Sequence, residues 1–360
     1  MSAAVRLDTS DLQAYARGCG ILGTGGGGAF RFGLMAAQQA VLRYGPIDVV
    51  SLDDLPDDGL LMPCGQVGAP TVSLEKLGSG DEGQHLRGRL EQATRQRVVA
   101  VLCAEIGGSN GLIPAAWAAQ LGLPLADADG MGRAFPKISM SSLNLYGISP
   151  GPAVLADEHG NATVAYPRDA AWLERIMRAA VVVFGGQGAG CVYPLSVAEA
   201  RRAAIPGSVS RALRIGLALQ AAADPVSDLV TALGGVRLLG GKVVDVERRT
   251  ADGFSRGSAT IEGLAHDHGR LLRIEIQNEN LAALEDGRLV ASVPDLITVV
   301  DTGTGDAVST ELLRYGQRVT AIASPCAAVW RTGAGLDLVG PAVFGYDFGY
   351  EPLESLHANA

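Results

Sequence analysis

Apolar positions change period along the chain. Leu12, Tyr15 and Ala16 share one face of a segment that opens after Ser10 and meets Gly18, which predicts a short capped helix. Beyond a run of glycines, Phe30, Leu34, Ala37, Val41 and Leu42 recur at helical spacing, and "IDVVSLDDL" then reads as a strand. Residues 65–97 are polar with a glycine-rich centre, the pattern of a surface loop or helix. The clearest unit follows. Residues 98–103 form a continuous apolar run of strand length, 114–121 suit a helix with Pro114 in its first turn, and 123–126 suit a second strand, giving a βαβ unit. Polar residues gather after the two strands: Glu105, Ser109 and Asn110, then Asp127, Asp129 and Arg133. Open α/β sheets bind ligands at that edge.

The pattern shifts in the second half. A helix is predicted from Ala170, a strand over 180–184, a second glycine loop over 185–190, and helices over 197–204 and 208–222. From Val236 onward, "VRLLGGKVVDVERRT", "GSATIEG", "LLRIEIQNENLAAL", "LITVVD" and "RVTAIAS" are short strand-like runs with turn residues between them. The fold class this predicts is α/β: two α/β domains with mixed sheets, residues 1–167 and 168–360, the second β-rich, with strands exchanged between domains where late segments return to the earlier sheet.

Composition narrows the partners. The chain has 360 residues, 48% hydrophobic and 19% charged, enough to bury a substantial core. A net charge of −9 without Lys/Arg clusters argues against nucleic acid and for a small-molecule substrate or another protein. No basic leader precedes an apolar run, and no apolar run nears the ~20 residues a membrane span needs, so a soluble, cytoplasmic protein is expected, with a homo-oligomer compatible. Cys19, Cys64, Cys103, Cys191 and Cys326 are odd in number and scattered, against a disulfide framework or a cysteine zinc site. Glycine is in excess, 48 residues, which points to many turns and ligand loops.

Several stretches carry candidate chemistry. Gly23, Gly25 and Gly28 match G-x-G-x-x-G, but the dinucleotide fingerprint requires a preceding strand, and only "CGIL" is available; no G-K-[ST] follows. The same backbone can instead form a nest in which the amides of Gly25, Gly26, Gly27 and Gly28 hold a carboxylate, phosphate or oxyanion, or it can be a plain helix–helix connection. Asp127 and Asp129 could share a divalent metal or position a water, with Arg133 gripping an anionic substrate. Asn278, Glu279 and Asn280 end an apolar strand, where buried they would need partners. Asp301, Thr302 and Asp306 end another, before a helix capped at Ser309 with Glu311 in its first turn. His266 and His268 fit a surface turn better than a metal site, and Cys191, in the second glycine loop, is the best thiol nucleophile.

Together "GTGGGG", "AEIGGSN", "LADADGMGRAFP", "CVYPL", "IQNENL", "PDLITVVDTGTGDAVSTELLRYG", "WRT" and "VGPAVFGYD" resemble the hydantoinase-associated S-methyl thiohydantoin desulfurase family, nearly end to end. The resemblance implies hydrolysis of a small cyclic amide-like ring, a hydantoin, thiohydantoin or lactam; the namesake reaction removes methanethiol from a thiohydantoin. In that reading Asp127, Asp129 and Glu105 hold a metal or orient water, Arg133 grips a substrate carboxylate, the glycine nest stabilises the oxyanion, and Asn110 and Asn278 orient the ring. Alternatives are a non-catalytic subunit or ligand-binding partner of a hydantoinase or oxoprolinase complex, and a nucleotide-binding enzyme. One departure stands out. The resemblance implies a glutamate after the proline of "GRAFP", and this chain has Lys137.

Overall fold

The computed structural model describes residues 5–358 apart from 69–71, 73, 74, 77, 252 and 253. In chain order it opens with β1 (Val5–Leu7), α1 (Leu12–Leu22), α2 (Phe30–Tyr44), β2 (Ile47–Val50), β3 (Leu60–Gly68) and α3 (Glu82–Thr94). Next come β4 (Val98–Cys103), α4 (Ser109–Leu121), β5 (Leu125–Asp129), α5 (Ser142–Leu145) and the hairpin β6 (Ala153–Ala156) and β7 (Ala162–Ala165). The middle holds α6 (Ala170–Val183), β8 (Gln187–Cys191), β9 (Leu195–Ser196), α7 (Val197–Ala203), β10 (Ile205–Pro206), α8 (Ser208–Gln220) and α9 (Pro225–Leu233). The remainder is β11 (Val236–Ala251), β12 (Phe254–Gly263), β13 (Leu271–Gln277), β14 (Glu279–Glu285), β15 (Arg288–Ser292), β16 (Leu296–Asp301), β17 (Arg318–Ser324), α10 (Gly333–Val339) and α11 (Leu353–Leu356).

Two sheets organise this α/β fold into two domains. The first is mixed and runs β1-β2-β5-β4-β3-β8-β6-β7, with β10 on β5 and β9 on β3; its parallel centre is β2, β5, β4 and β3. The second is antiparallel throughout and runs β15-β14-β13-β12-β11-β17-β16. Strand β8 lies between β3 and β6 in the first sheet, although it follows α6 in sequence. No helix among the described residues is long and apolar enough to cross a membrane.

Several elements differ from the sequence expectation, each for a local reason. Helix α1 passes through Gly18 to Leu22, because that glycine lies where α8 crosses: a Cβ there would sit 1.8 Å from the Ala212 carbonyl oxygen, and one on Gly216 would sit 1.6 Å from that of Ala14. Residues 19–22 are therefore helical, so the strand that a dinucleotide fingerprint needs is missing. Helix α4 starts at Ser109, ahead of Pro114, because the Ser109 and Asn110 amides, which a helix N-terminus leaves unpaired, find acceptors on Gly28 and Gly27.

The apolar stretch 180–183 extends α6 rather than forming a strand, and Gly185 and Gly186 then turn the chain at φ 78° and 93° into β8. The expected glycine loop is thus mostly strand. Strand β3 had no sequence signal because it contains Pro63 and Gly65, yet Pro63 falls in the gap between β9, opposite Leu60 and Leu61, and β8, opposite Cys64 to Gly68, where no N–H is required. The run 271–284 reverses at Asn278, with φ 57°, into β13 and β14. Ser309 begins a short 3-10 turn without a side-chain cap. Cys64 pairs in register with Cys103 on one side and Cys191 on the other, all fully buried and unbridged. Burial pushes the Cys191 thiol up, which removes it as a nucleophile.

Candidate active site

The glycine loop joins the two sheets. Thr24 adopts φ 50° and Gly25 φ 91°, a path that turns successive carbonyls toward different neighbours. The Asn280 amide donates to the Thr24 carbonyl and the Thr310 amide to that of Gly25, both at 2.8 Å. On the other side, the Asn110 and Ser109 amides donate to Gly27 and Gly28 at 3.2 and 3.1 Å. The first amides of α4 are therefore capped by protein. The amides of Gly27 and Gly28 have no acceptor among the described residues, and both glycines line a cavity of about 120 Å³. Gly26 leaves room for a carboxyl: a Cβ on it would lie 2.0 Å from Glu279 Oε1.

Two buried carboxyls face this cavity, which lies at the carboxyl ends of β3 and β4, beside β8 and the turn between β13 and β14. Glu105 Oε1 accepts from Asn110 Nδ2 at 2.6 Å, and Oε2 accepts from the Phe135 amide at 3.4 Å. Asn110 is held in turn by Gln66, whose amide donates to its Oδ1 at 2.7 Å. Burial pushes the Glu105 carboxyl up to about 7, against the pull of those two donors. Glu279 is 3% exposed. Its Oε2 has no partner among the described residues. Burial, then the neighbouring charge of Glu105, raise it well above the usual carboxylate range.

The cavity-lining residues have three more polar atoms that are buried without a partner among the described residues: the Tyr193 hydroxyl, Gln187 Oε1 and Arg178 Nε. Met131, Phe135, Ile138, Leu143 and Val192 supply apolar wall. Orphaned donors and acceptors around an apolar hollow leave hydrogen-bonding capacity for a small polar ligand. Neither Tyr193 nor Gln187 had been singled out from sequence; Gln187 sits in the stretch expected to be loop, and the "CVYPL" string was the one pointer to Tyr193.

The predicted residues divide accordingly. Gly27, Gly28, Glu105, Asn110, Asn278 and Glu279 line the cavity. Asn278 has its Oδ1 occupied, accepting from the Ser255 amide at 2.9 Å. Gly25 and Gly26 back it.

Asp127, Asp129, Arg133 and Asp301 do not line it. Asp127 accepts from the Ser210 amide and hydroxyl at 2.9 and 2.6 Å. Asp129, fully buried at the end of β5, accepts from the amides of Ile106, Met131 and Gly132, and burial pushes it up to about 6 despite them. With their oxygens so committed, the two aspartates do not form a shared metal seat, and no group of three or more His, Cys, Asp or Glu side chains among the described residues is arranged to hold an ion.

Arg133 is fully buried, and burial lowers it to about 10. It donates to the carbonyls of Ala134, Pro294 and Asp295 and to Thr24 Oγ1 at 2.7–3.0 Å, so it braces the protein rather than reaching a ligand. Asp301 caps its own turn, accepting from the Gly303 and Thr304 amides.

The S-Me-THD-like N-terminal domain family matches residues 10–166, and the S-Me-THD-like C-terminal domain family matches residues 168–353. A protein from Chromobacterium violaceum, known from its X-ray crystal structure, is similar in fold, with a TM-score of 0.80 and 25% identity over 97% of this chain and 100% of that one. No curated protein matches the chain. With both domain families matched in order along nearly its whole length, the chain belongs to the S-Me-THD-like family.

Proposed function

We propose that the chain hydrolyses a small cyclic amide-like ring, of the hydantoin or S-methyl thiohydantoin kind, in the cavity beside the glycine loop. The observation that carries this is the pair of buried carboxyls, Glu105 and Glu279, pushed up unequally beside a hollow with unpaired polar atoms. Two carboxyls whose environments separate them can divide acid and base work at one pH. Glu105, ionised from about pH 7, takes a proton from water. The hydroxide adds to the ring's sp2 carbon, forming the new C–O bond. Glu279, held protonated, gives its proton to the leaving sulfur or ring nitrogen as that bond breaks. The Tyr193 hydroxyl and the free amides of Gly27 and Gly28 are the donors for the oxyanion.

The test is turnover, read as thiol release from an S-methyl thiohydantoin and ring opening of a hydantoin. Glu105→Gln and Glu279→Gln are each expected to lower kcat by about 10²–10⁴ while KM changes little. The parent rate should rise with pH through about 7, as Glu105 loses its proton. Variants that turn over like the parent, or a parent inert toward every such ring, overturn the reading.

A second reading, a non-catalytic subunit of a hydantoinase or oxoprolinase assembly, is favoured by the outward face of α2, where Met35 and Leu42 are 63% and 70% exposed. Co-purification with such a subunit, and no turnover by this chain alone, distinguishes it.

A further inference from the structure

We propose a second ligand site, on the second sheet, that takes a small carboxylate with a flat apolar body and holds it at Arg256. It goes beyond the hydrolase reading and does not depend on it. A hollow of about 200 Å³ lies where Phe344 and Tyr346 meet β11, β12 and β13, and none of its described lining residues belongs to the cavity beside the glycine loop.

Strand register decides what this hollow contains. Arg249 stands opposite Arg256, and Arg256 opposite Gln277; Glu247 stands opposite Ser258, and Ser258 opposite Glu275. Cross-strand partners and residues two apart share a face of a sheet, so these side chains lie together on one side, while the intervening Ala259, Ile274 and Ile276 enter the apolar core. Like charges directly opposite each other on neighbouring strands are destabilising, and the Arg249–Arg256 pair stays unfavourable until an anion sits between them.

The polar atoms around Arg256 are ready for that anion. Its Nε is buried and has no partner among the described residues. Ser258 and Gln277, 3% and 6% exposed, line the hollow, and their side chains have no hydrogen-bond partner among the described residues. Burial, then the charge of Glu275, raise the Tyr346 hydroxyl, which therefore keeps its proton and remains a donor. Buried polar groups left in this state are costly unless a ligand completes them.

Charge and shape narrow the ligand. Arg273 is already paired with Glu275 at 2.6 Å, which leaves the guanidiniums of Arg249 and Arg256 against Glu247. A guanidinium fork matches a carboxylate or a phosphate, but a second negative charge would be repelled by Glu247 and Glu275, so a singly charged carboxylate suits the site better. Phe344 and Tyr346, whose ring stacks on Phe348 at 5.0 Å, supply an aromatic wall for the body of the ligand.

Calorimetric titration of the full chain with benzoate, benzamide and inorganic phosphate tests the site. Benzoate should bind the parent at a single site, at least about tenfold more tightly than benzamide or phosphate. That preference should vanish in Arg256→Met, return only in part in Arg256→Lys, which lacks the planar fork, and persist unchanged in Glu105→Gln, which alters the other cavity. Relieved of the like-charge pair, Arg256→Met should melt no lower than the parent, so that lost binding is not lost folding. No binding of benzoate, equal affinity for acid and amide, tighter binding of phosphate, a preference that survives Arg256→Met or falls in Glu105→Gln, or an Arg256→Met chain that melts lower overturns the inference. Each of these results leaves the hydrolase reading where it stood, because none of them measures turnover.

Discussion

Glu279 is asked to do two incompatible things. A carboxyl raised well above its ordinary 4.5 keeps a proton in the folded state that the unfolded chain has already released, so from about pH 4.5 upward the folded state loses stability as pH rises. Glu279→Gln removes that burden, since the amide side chain carries no titratable proton. The variant is expected to melt at least about 3 °C higher than the parent at pH 8, with the gain fading toward pH 4, in parallel thermal unfolding scans. The same substitution should abolish most turnover, the opposition expected where a site is built against stability. Residue type and strand-end position made Glu105, Asn110 and Glu279 candidates in the sequence, and the fold brings all three to the cavity wall. They could not reveal that Asp127, Asp129 and Arg133, equally well placed along the chain, turn toward backbone donors and acceptors instead. That outcome depends on which neighbours the fold supplies: the Ser210 end of α8 for Asp127, and the 294–295 turn for Arg133.

Among elements, the glycine loop is the one whose chemistry was readable while its use was not. Its positive φ values follow from composition, but the reason for Gly26 is a carboxyl some 250 positions later in the sequence that occupies the space of its missing side chain. Gly26→Ala is therefore expected to displace Glu279 and cut turnover by roughly the factor seen on removing the carboxyl, about 10² or more, while circular dichroism stays that of the parent. A variant with normal kcat would show that Glu279 is free to move and that the loop does not aim it. Periodic segments such as α2, β4, α8 and the strands of the second sheet were legible because their own side chains set the period. Strand β3 and the far end of α1 were not, because Pro63 and Gly18 are tolerated only through contacts with β8, β9 and α8.

At the scale of the molecule, polar ties add to apolar packing between the two sheets, where Leu296, Val300 and Ile322 share a buried cluster with α1 and Trp330 packs with Met131 and Phe135. Arg133 holds the 294–295 turn and Thr24 at once, the Thr298 hydroxyl donates to the Ile21 carbonyl at 2.9 Å, and the Asn280 and Thr310 amides grip the glycine loop. Arg133→Met would leave three buried carbonyls without a donor, and it should lower the melting temperature by about 5–10 °C and broaden or split the transition in calorimetry. A single sharp transition at the parent temperature would show that the ties are redundant. The position of β8 between β3 and β6 bears on how the chain is made. The β6–β7 hairpin is synthesised before its only route into the sheet exists, since β3 can accept it only through β8. On the ribosome that hairpin has to wait with an open edge until residue 191 has emerged, a non-local closure of the slow kind and a window in which chaperones could act.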